Sequence, residues 1–448
     1  MNKIYISILV FALAVGFSAC EEDDCSQFHI DTDMMGIPTV LKGTFPLGKQ
    51  TMTIGDSMVF APQLLDTTGV AYSWAIDGRE VSTDSAFTFR VTKPCRAKLL
   101  CTLTNEKGKV MLESEMASRQ DFTKGFFVVQ EKEIGFYDEV SGKLYADCYQ
   151  SLNGGEKVTN GSGSDKIFVA QADRKLYAMT YTSMTNIDHL LVVDRENFSG
   201  ETWASVVNGI VSFIPLNERY AILSGFKAVY RLDLFTMKKV LLSANAAKPI
   251  FNGLVFNGKL LVNATYGKEL KAAYYDVKEL IDAKEGYLPT ATELDILQNR
   301  KANFVKAKDG NVYTLYSSGT DYRLARITGD FKVETVSLPF QIAKAEYWST
   351  LYFPTLAVSG IENALFIPSA DNAVYRYVWG DASSWKKPFV AAATEGESEL
   401  SGSGIEVDPL TGELYVLYPD RIGVYAVDGS WKKTIVCEEN PQAILFNH

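Results

Sequence analysis

Histidine is nearly missing from this chain, with three in 448 residues. They are His29 in a polar N-terminal stretch, His189, and His448 at the last position. A Ser-His-Asp triad or a histidine-rich zinc site would therefore have to rest on His189. That disfavours a dedicated hydrolase or metalloenzyme, so no catalytic or metal-ligating residue and no cofactor is assigned. Chemistry by carboxylates alone stays open. Cysteine is scarce, six residues without a CxxC pair or metal-ligand spacing. Cys25, Cys148 and Cys437 are scattered and read as buried thiols. Cys95 and Cys101 share one parity of an alternating run, and spacing alone leaves a bridge between them open. Basic residues are outnumbered, 44 Lys and Arg against 54 Asp and Glu, for a formal charge of −10. With no Lys/Arg cluster against that balance, a nucleic-acid partner is disfavoured. Phosphate loops are absent as well. Gly161-Ser162-Gly163 and Gly402-Ser403-Gly404 each precede a strand pattern, so neither offers a helix N-terminus to an anion.

The first residues carry a processing signal. Lys3 supplies a positive end, and Ile4 to Gly16 form an apolar run too short to span a bilayer. Phe17, Ser18 and Ala19 then lead into Cys20. This stretch resembles the lipobox of bacterial lipoproteins, with Phe17 in the place of the usual leucine. The resemblance implies removal of residues 1–19, lipidation of Cys20 and attachment to the outer membrane; plain secretory cleavage is the alternative. Glu21, Glu22, Asp23 and Asp24 follow. Four like charges cannot pack, so residues 20–35 are expected to be a solvated tether. Their placement resembles the acidic export signal that sends lipoproteins of one Gram-negative group to the cell surface. A polar spacer facing the periplasm is the other option.

The rest is strand material. Apolar content of 47% against 22% charged excludes wholesale disorder, and 23 Tyr with 25 Phe favour strands over helices. The length exceeds one ordinary core, so two domains or a repeat array are expected. Residues Gly402 to Glu439 show the repeat: GSGIEVDPLTG, ELYVLYPDR, IGVYAVDGSW, KKTIVCEE, four short alternating runs separated by turn chemistry. Four antiparallel strands in about 40 residues is the size of one β-propeller blade. Second strands of such units are predicted to begin near Phe126, Leu176, Tyr220, Leu260, Val312, Leu365 and Leu414. That makes seven blades, with Gln442 to Asn447 a spare strand that completes the first blade and closes the ring. Six or eight blades stay open, because KELIDAKEGYLPTATELDILQN interrupts the fourth with a short helix or long loop. Asp138, Asp194, Asp233, Asp276 and Asp428 each open a turn and are predicted to be structural.

Before the propeller, from about residue 36 to 120, alternating runs surround Tyr72-Ser73-Trp74-Ala75-Ile76-Asp77-Gly78 and Leu103-Thr104-Asn105-Glu106-Lys107-Gly108. The pair resembles the PKD type of immunoglobulin-like domain, whose expected role is spacer or docking module. Trp74 is the core candidate and both glycines are turn positions. The chain thus reads as all-β: signal 1–19, tether 20–35, a PKD/Ig-like β-sandwich 36–120, and a seven-bladed β-propeller 121–448 closed by its C-terminal strand.

In a propeller one face collects the connections between blades and the turns between second and third strands, and ligands sit over the central channel there. The connection into the sixth blade carries Tyr347, Trp348, Tyr352 and Phe353. Other contributors are Phe251 and Asn252, Tyr266 and Lys268, Asp321 and Tyr322, Asp371 and Asn372, Asp420 and Arg421. Flat apolar surfaces with scattered polar groups suit a large polar-rimmed ring system, a sugar or a peptide. The competing role for the aromatic run is a plug of the channel mouth.

Gly125-Phe-Phe-Val-Val-Gln-Glu, Tyr149-Gln150-Ser151-Leu152-Asn153-Gly154-Gly155 and Leu190-Leu-Val-Val-Asp194 resemble a family of surface propeller lipoproteins, YncE-like and carrying the DUF5074 type of repeat. The resemblance implies capture of cobalamin and delivery to a TonB-dependent outer-membrane transporter. One departure stands out: Glu131 is followed by a short Lys132-Glu133 turn where relatives carry a longer loop. A second lipoprotein family, accessory to SusC/SusD-type importers of glycans or peptides, fits nearly as well. A protein–protein interaction scaffold is the rival from another class.

Overall fold

The computed structural model describes residues 36–158, 166–172, 174–181, 187–208, 210–225, 228–244, 250–266, 269–297, 303–318, 321–343, 356–391, 400–401 and 403–447. It divides into two compact units: Met1–Gln50, Ser57–Phe89 and Lys98–Glu115, of which the description begins at residue 36, and Thr51–Asp56, Arg90–Ala97 and Met116–His448.

The smaller unit is built on a five-stranded sheet in the order β1 (Gly48–Thr53), β7 (Gly108–Arg119), β6 (Arg96–Asn105), β3 (Ala71–Ile76), β4 (Arg79–Ser82), with a two-stranded sheet of β2 (Ser57–Phe60) and β5 (Phe87–Arg90). Trp74 is its anchor, fully buried against the rings of Phe45, Phe60 and Phe87. Its indole Nε1 donates to Asp84 O at 2.7 Å, so the buried polar atom is satisfied. The Asp77-Gly78 turn joins β3 to β4 with positive φ at both residues, 48° and 80°, the geometry that matches strand twist in a two-residue hairpin. Asn105 Oδ1 accepts from the Lys107 and Gly108 amides and shapes the β6–β7 turn. Cys101 pairs with Trp74 in the ladder, is buried, and is a free thiol, so the bridge to Cys95 left open by spacing is not formed.

The larger unit contains seven antiparallel sheets, six of four strands and one of three. The first joins the C-terminal strand to strands from residues 125–145: β34 (Pro441–Phe446), β8 (Gly125–Gln130), β9 (Ile134–Asp138) and β10 (Lys143–Tyr145). The second is β11 (Lys166–Ala172), β12 (Lys175–Tyr181), β13 (Ile187–Asp194) and β14 (Gly200–Asn208); the third is β15 (Ile210–Pro215), β16 (Tyr220–Gly225), β17 (Val229–Asp233) and β18 (Lys239–Ser243). The fourth holds β19 (Ile250–Phe256), β20 (Lys259–Tyr266), β21 (Glu269–Asp276) and β22 (Thr292–Leu297), and the fifth β23 (Phe304–Lys306), β24 (Val312–Ser318), β25 (Asp321–Ile327) and β26 (Val333–Ser337). The sixth is β27 (Ala357–Val358), β28 (Leu365–Pro368) and β29 (Val374–Tyr377); the seventh is β30 (Ile405–Val407), β31 (Leu414–Tyr418), β32 (Arg421–Tyr425) and β33 (Trp431–Val436). Every predicted second strand begins within one residue of its expected start.

The first strands of the second to seventh sheets touch in sequence, β11 to β15 and onward through β19, β23, β27 and β30; at the first sheet β30 touches its first strand, β34, and β11 touches its second, β8. An apolar layer fills the space between each consecutive pair of sheets, ending with the layer between seventh and first. Phe127 and Val129 face the second sheet while Phe126 and Val128 face the seventh. Both faces of this strand are therefore packed, although the runs alternate in sequence. A sheet packed on both faces needs continuous apolar runs, so β8, β9 and β31 are buried at every position.

Two local departures follow from sequence. In the fourth sheet the segment after β21 forms a helix, Val277–Asp282, before β22, and Arg231 holds its end by donating to Ala283 O at 3.1 Å and to Ile281 O. In the sixth sheet no fourth strand is found among the described residues; Tyr377 is followed by a 3-10 turn, Ala382–Trp385, and a single bridge from Val390 to Val374. Trp385 stacks on Tyr377 at 4.0 Å and Phe340 on Tyr375 at 4.2 Å, so aromatic rings pack on the residues of β29.

Candidate functional site at the entry edge of the sheets

In a four-stranded meander, the turn from second to third strand lies at the edge where the first strand enters and the fourth leaves. The predicted ligand residues that the structure describes lie at this entry edge. Tyr266 ends β20 and pairs with Glu269 across the turn. Tyr322, near the start of β25, is half-buried in the layer between fifth and sixth sheets, and its carbonyl accepts the Leu338 amide at 2.8 Å. Asp371 and Asn372 form the β28–β29 turn. Asn372 sits at φ 63° and donates its amide to Ser369 O at 3.0 Å, while Asp371 accepts the Ser369 hydroxyl. Asparagine tolerates that left-handed conformation, which gives it a local structural reason. Asp420 and Arg421 form the β31–β32 turn, where the Arg421 guanidinium bonds Asp420 at 3.0 Å and lies 4.5 Å over the Tyr418 ring. Tyr347, Trp348, Tyr352, Phe353, Lys268 and the lipidation candidate Cys20 lie outside the described residues.

A polar network at the same edge, where the seventh sheet meets the first, escaped the sequence analysis. Ser401 Oγ donates to Pro441 O at 2.9 Å and contacts Asn440 Oδ1. Gln442 Nε2 reaches Ser401 Oγ at 3.5 Å, and Asn440 Nδ2 reaches Glu131 Oε1 at 3.4 Å. The Ser403 amide donates to Gln442 O at 2.8 Å. Ser401, Ser403 and Gln442 are buried. In sequence the only signal was the glycine-flanked Ser403, which read as a failed phosphate loop. Gly404 instead takes φ 75° in the turn that starts β30.

Two carboxyls behave unusually. Glu133, in the short turn after Glu131, is buried, and burial pushes its pKa up to about 8 against the Ile134 amide that it accepts at 3.0 Å. Asp147 and Glu439 push the same way and Lys157 opposes. Glu406 in β30 is also raised to about 8, by burial, with Ser403 opposing.

At the opposite edge the five turn aspartates are as expected. Asp138 accepts from Val140 N at 3.0 Å, Asp194 from Glu196 N at 2.8 Å, Asp233 from Phe235 N at 3.0 Å and Asp428 from Ser430 N at 2.9 Å. Asp276 caps the helix by accepting Glu279 N at 3.0 Å. Asp408, not singled out in the sequence, does the same for Leu410 and Thr411. The Tyr149–Asn153 motif is structural too. Asn153 Oδ1 accepts Gly200 N at 3.0 Å and its Nδ2 donates to Phe198 O at 3.0 Å, tying the helix Cys148–Leu152 to the second sheet. Among the described residues no group of three or more His, Cys, Asp or Glu is placed to hold a metal ion, and no helix is long and apolar enough to cross a membrane.

These features define a protein of the β-propeller-like class, nearly all strand, with a small β domain attached. The chain belongs to the DUF5074 family, a domain of unknown function, whose model matches residues 124–428. A crystal structure of a "quinonprotein alcohol dehydrogenase-like protein" from Bacteroides thetaiotaomicron is 39% identical, with a TM-score of 0.83 over 92% of this chain and 99% of that one. The periplasmic gluconolactonase of Pseudomonas aeruginosa is 11% identical at a TM-score of 0.47, over 71% of this chain and 98% of its own, a likeness that carries no argument. No curated protein matches the chain significantly.

Proposed function

We propose that the seven sheets are the blades of one propeller closed by β34, and that its entry face binds a nutrient for an outer-membrane importer. On this reading residues 36–120 are a PKD/Ig-like spacer, and Cys20 carries a lipid that holds the protein on the cell surface. Cobalamin is the leading ligand, passed to a TonB-dependent transporter, and the protein acts by binding rather than catalysis. The observation that carries the proposal is the polar lattice of Ser401, Asn440, Gln442 and Glu131 beside the Tyr418–Arg421 stack. It puts hydrogen-bonding groups and a flat cationic surface at one edge, the composition of a site for a large ligand with a polar rim.

The test is calorimetric titration of the protein lacking residues 1–24 with cobalamin, alongside Trp348→Ala and Arg421→Ala. Nanomolar binding weakened by either substitution supports the reading. Absence of heat at high micromolar concentration rejects cobalamin and directs the same assay to glycans and peptides, the cargo of SusC/SusD-type importers. Capture of a folded protein partner by an intact face, with no small-molecule heat, would favour the scaffold.

A further inference from the structure

Arg323 stands near the start of β25, beside the β24–β25 turn and so at the entry edge. Leu324 is buried in the layer toward the sixth sheet, so the pleat turns Arg323 toward the fourth, together with Ala325 and Ile327. Tyr316 and Thr314 of β24 share that face, since Tyr316 pairs with Arg323 and Thr314 with Ala325. Away from the entry edge this layer is apolar, filled by Leu261, Val312, Ala325 and Ile327. One pleat nearer the edge it turns polar, with Thr314, Arg323 and the buried Asn263 of β20. Arg323 is half-buried, its Nε is enclosed, and among the described residues its guanidinium makes no hydrogen bond or ion pair. The other described arginines of the seven sheets and their turns each bond a carboxylate or a carbonyl oxygen, as Arg326 of the same strand bonds Glu334 at 3.3 Å. With 54 acidic against 44 basic residues, no shortage of carboxylates explains the exception. Thr314 is 0% exposed, and its Oγ1 has no partner among the described residues. An enclosed donor and an enclosed hydroxyl thus stand unbonded at diagonal positions of one ladder, a spacing that long side chains cross.

We propose that Arg323 binds an oxyanion of the ligand, a carboxylate or phosphate group, at the entry edge between the fourth and fifth sheets, with Thr314 as the positioning residue behind it. The inference rests on the entry face being a ligand site and adds the charge that the ligand carries there. A guanidinium offers five N–H donors in a planar fork and no acceptor, which matches the paired oxygens of an oxyanion. When Thr314 Oγ1 accepts the Nε–H, the inner end of the fork is fixed and its terminal nitrogens are left for the anion. Rotation of one long side chain satisfies both unbonded groups at once. Partial enclosure strengthens a charge-assisted pair relative to one at the open surface. A neutral amide would leave the cation uncompensated, and an ammonium group would be repelled.

The site is testable without the natural ligand. The protein lacking residues 1–24 is labelled with 15N-arginine and 13C-methyl threonine. The Arg323 Nε–H and Thr314 methyl signals are assigned by their loss in Arg323→Lys and Thr314→Val. Acetate, methyl phosphate, acetamide and methylammonium are then titrated at constant ionic strength. The two anions are expected to shift both signals saturably, and acetamide and methylammonium to shift neither. Tighter saturation by acetate marks a carboxylate ligand, and tighter saturation by methyl phosphate a phosphorylated one. Thr314→Val should weaken the Arg323 response several-fold, and Thr314→Ser, which keeps the hydroxyl, should retain it. Arg323→Lys, which lacks the fork, should abolish the Thr314 response. No saturable shift with either anion in the unaltered sequence, or an equal shift with acetamide, would overturn the site. An Arg323 response unchanged in Thr314→Val would overturn the role of Thr314. A silent cobalamin titration with a positive anion response would reject that ligand and leave the anion site standing, and cobalamin binding without an anion response would do the reverse.

Discussion

Arg195 Nε donates to Asn447 Oδ1 at 2.6 Å, joining the turn after β13 to the last described residue across 252 positions of sequence. Arg195 Nη2 also donates to Phe446 O at 3.2 Å, and Asn447 Nδ2 donates to Phe122 O at 2.6 Å. The C-terminal strand is therefore held by side chains at its far end as well as by its ladder with β8. Asn447→Ala should lower unfolding free energy by about 1.5–3 kcal/mol, the range for a charge-assisted bond in a part-buried site. Deleting residues 441–448 should do more, since β8 would become an unpaired edge prone to self-association. Urea melts read the first, and sedimentation of the truncated protein reads the second.

The two raised carboxyls set a pH dependence. Glu133 and Glu406 are held to about 8 by burial, above the ordinary carboxylate value. A group whose folded pKa is raised contributes stability fully present below its unfolded pKa, about 4.3, and lost as pH rises through the folded value. Unfolding midpoints measured between pH 4.5 and 8.5 should therefore decline, and Glu133→Gln and Glu406→Gln should each flatten part of the slope. A flat wild-type profile, or variants with unchanged slope, would contradict the assignment.

Strand starts were legible because they rest on local patterning: Tyr220 and Val312 begin β16 and β24 where turn residues give way to apolar runs. The pairing of the C-terminal run was legible for the same reason, since the spare run at Gln442 needs a partner strand and pairs with β8. Among the described residues the sixth sheet has three strands, and the sequence after Tyr377 shows why: it has no alternating run before Val390. The site was less legible. Asp371, Asn372, Asp420 and Arg421 could be placed by topology, but the Ser401–Asn440–Glu131 network joins residues whose neighbourhood exists only once the chain ends meet. No spacing announces such a contact. The unusual state of Glu406 comes from its surroundings, and a glutamate in a strand looks solvent-facing until the neighbouring sheet is known.

Gly200 has a steric reason to be glycine. A Cβ there would lie 2.3 Å from the Tyr149 hydroxyl and 2.6 Å from its ring, and Tyr149 is itself buried beside Phe198. Gly200→Ala should cost about 1–3 kcal/mol as an overpacked site. The combination with Tyr149→Leu should recover part of that loss, so a double-mutant cycle would show coupling. Simple additivity would mean that the contact is not what constrains the position.

The thiols give the last prediction. Cys101, Cys148 and Cys437 are buried, and burial raises the pKa of each, Cys101 and Cys437 to about 12. For Cys148 the neighbouring Asp147 and Glu133 carboxylates add to the effect. Alkylation requires the thiolate and access, and these three sites lack both at neutral pH. Iodoacetamide treatment of the folded protein followed by peptide mass spectrometry should leave all three unmodified. The same treatment in denaturant should modify them fully. Selective labelling of Cys101 at low denaturant, before Cys148 and Cys437, would show that the smaller unit opens first, because Cys101 belongs to that unit and the other two to the larger one. Simultaneous labelling of all three would instead mean that the two units unfold in one cooperative step.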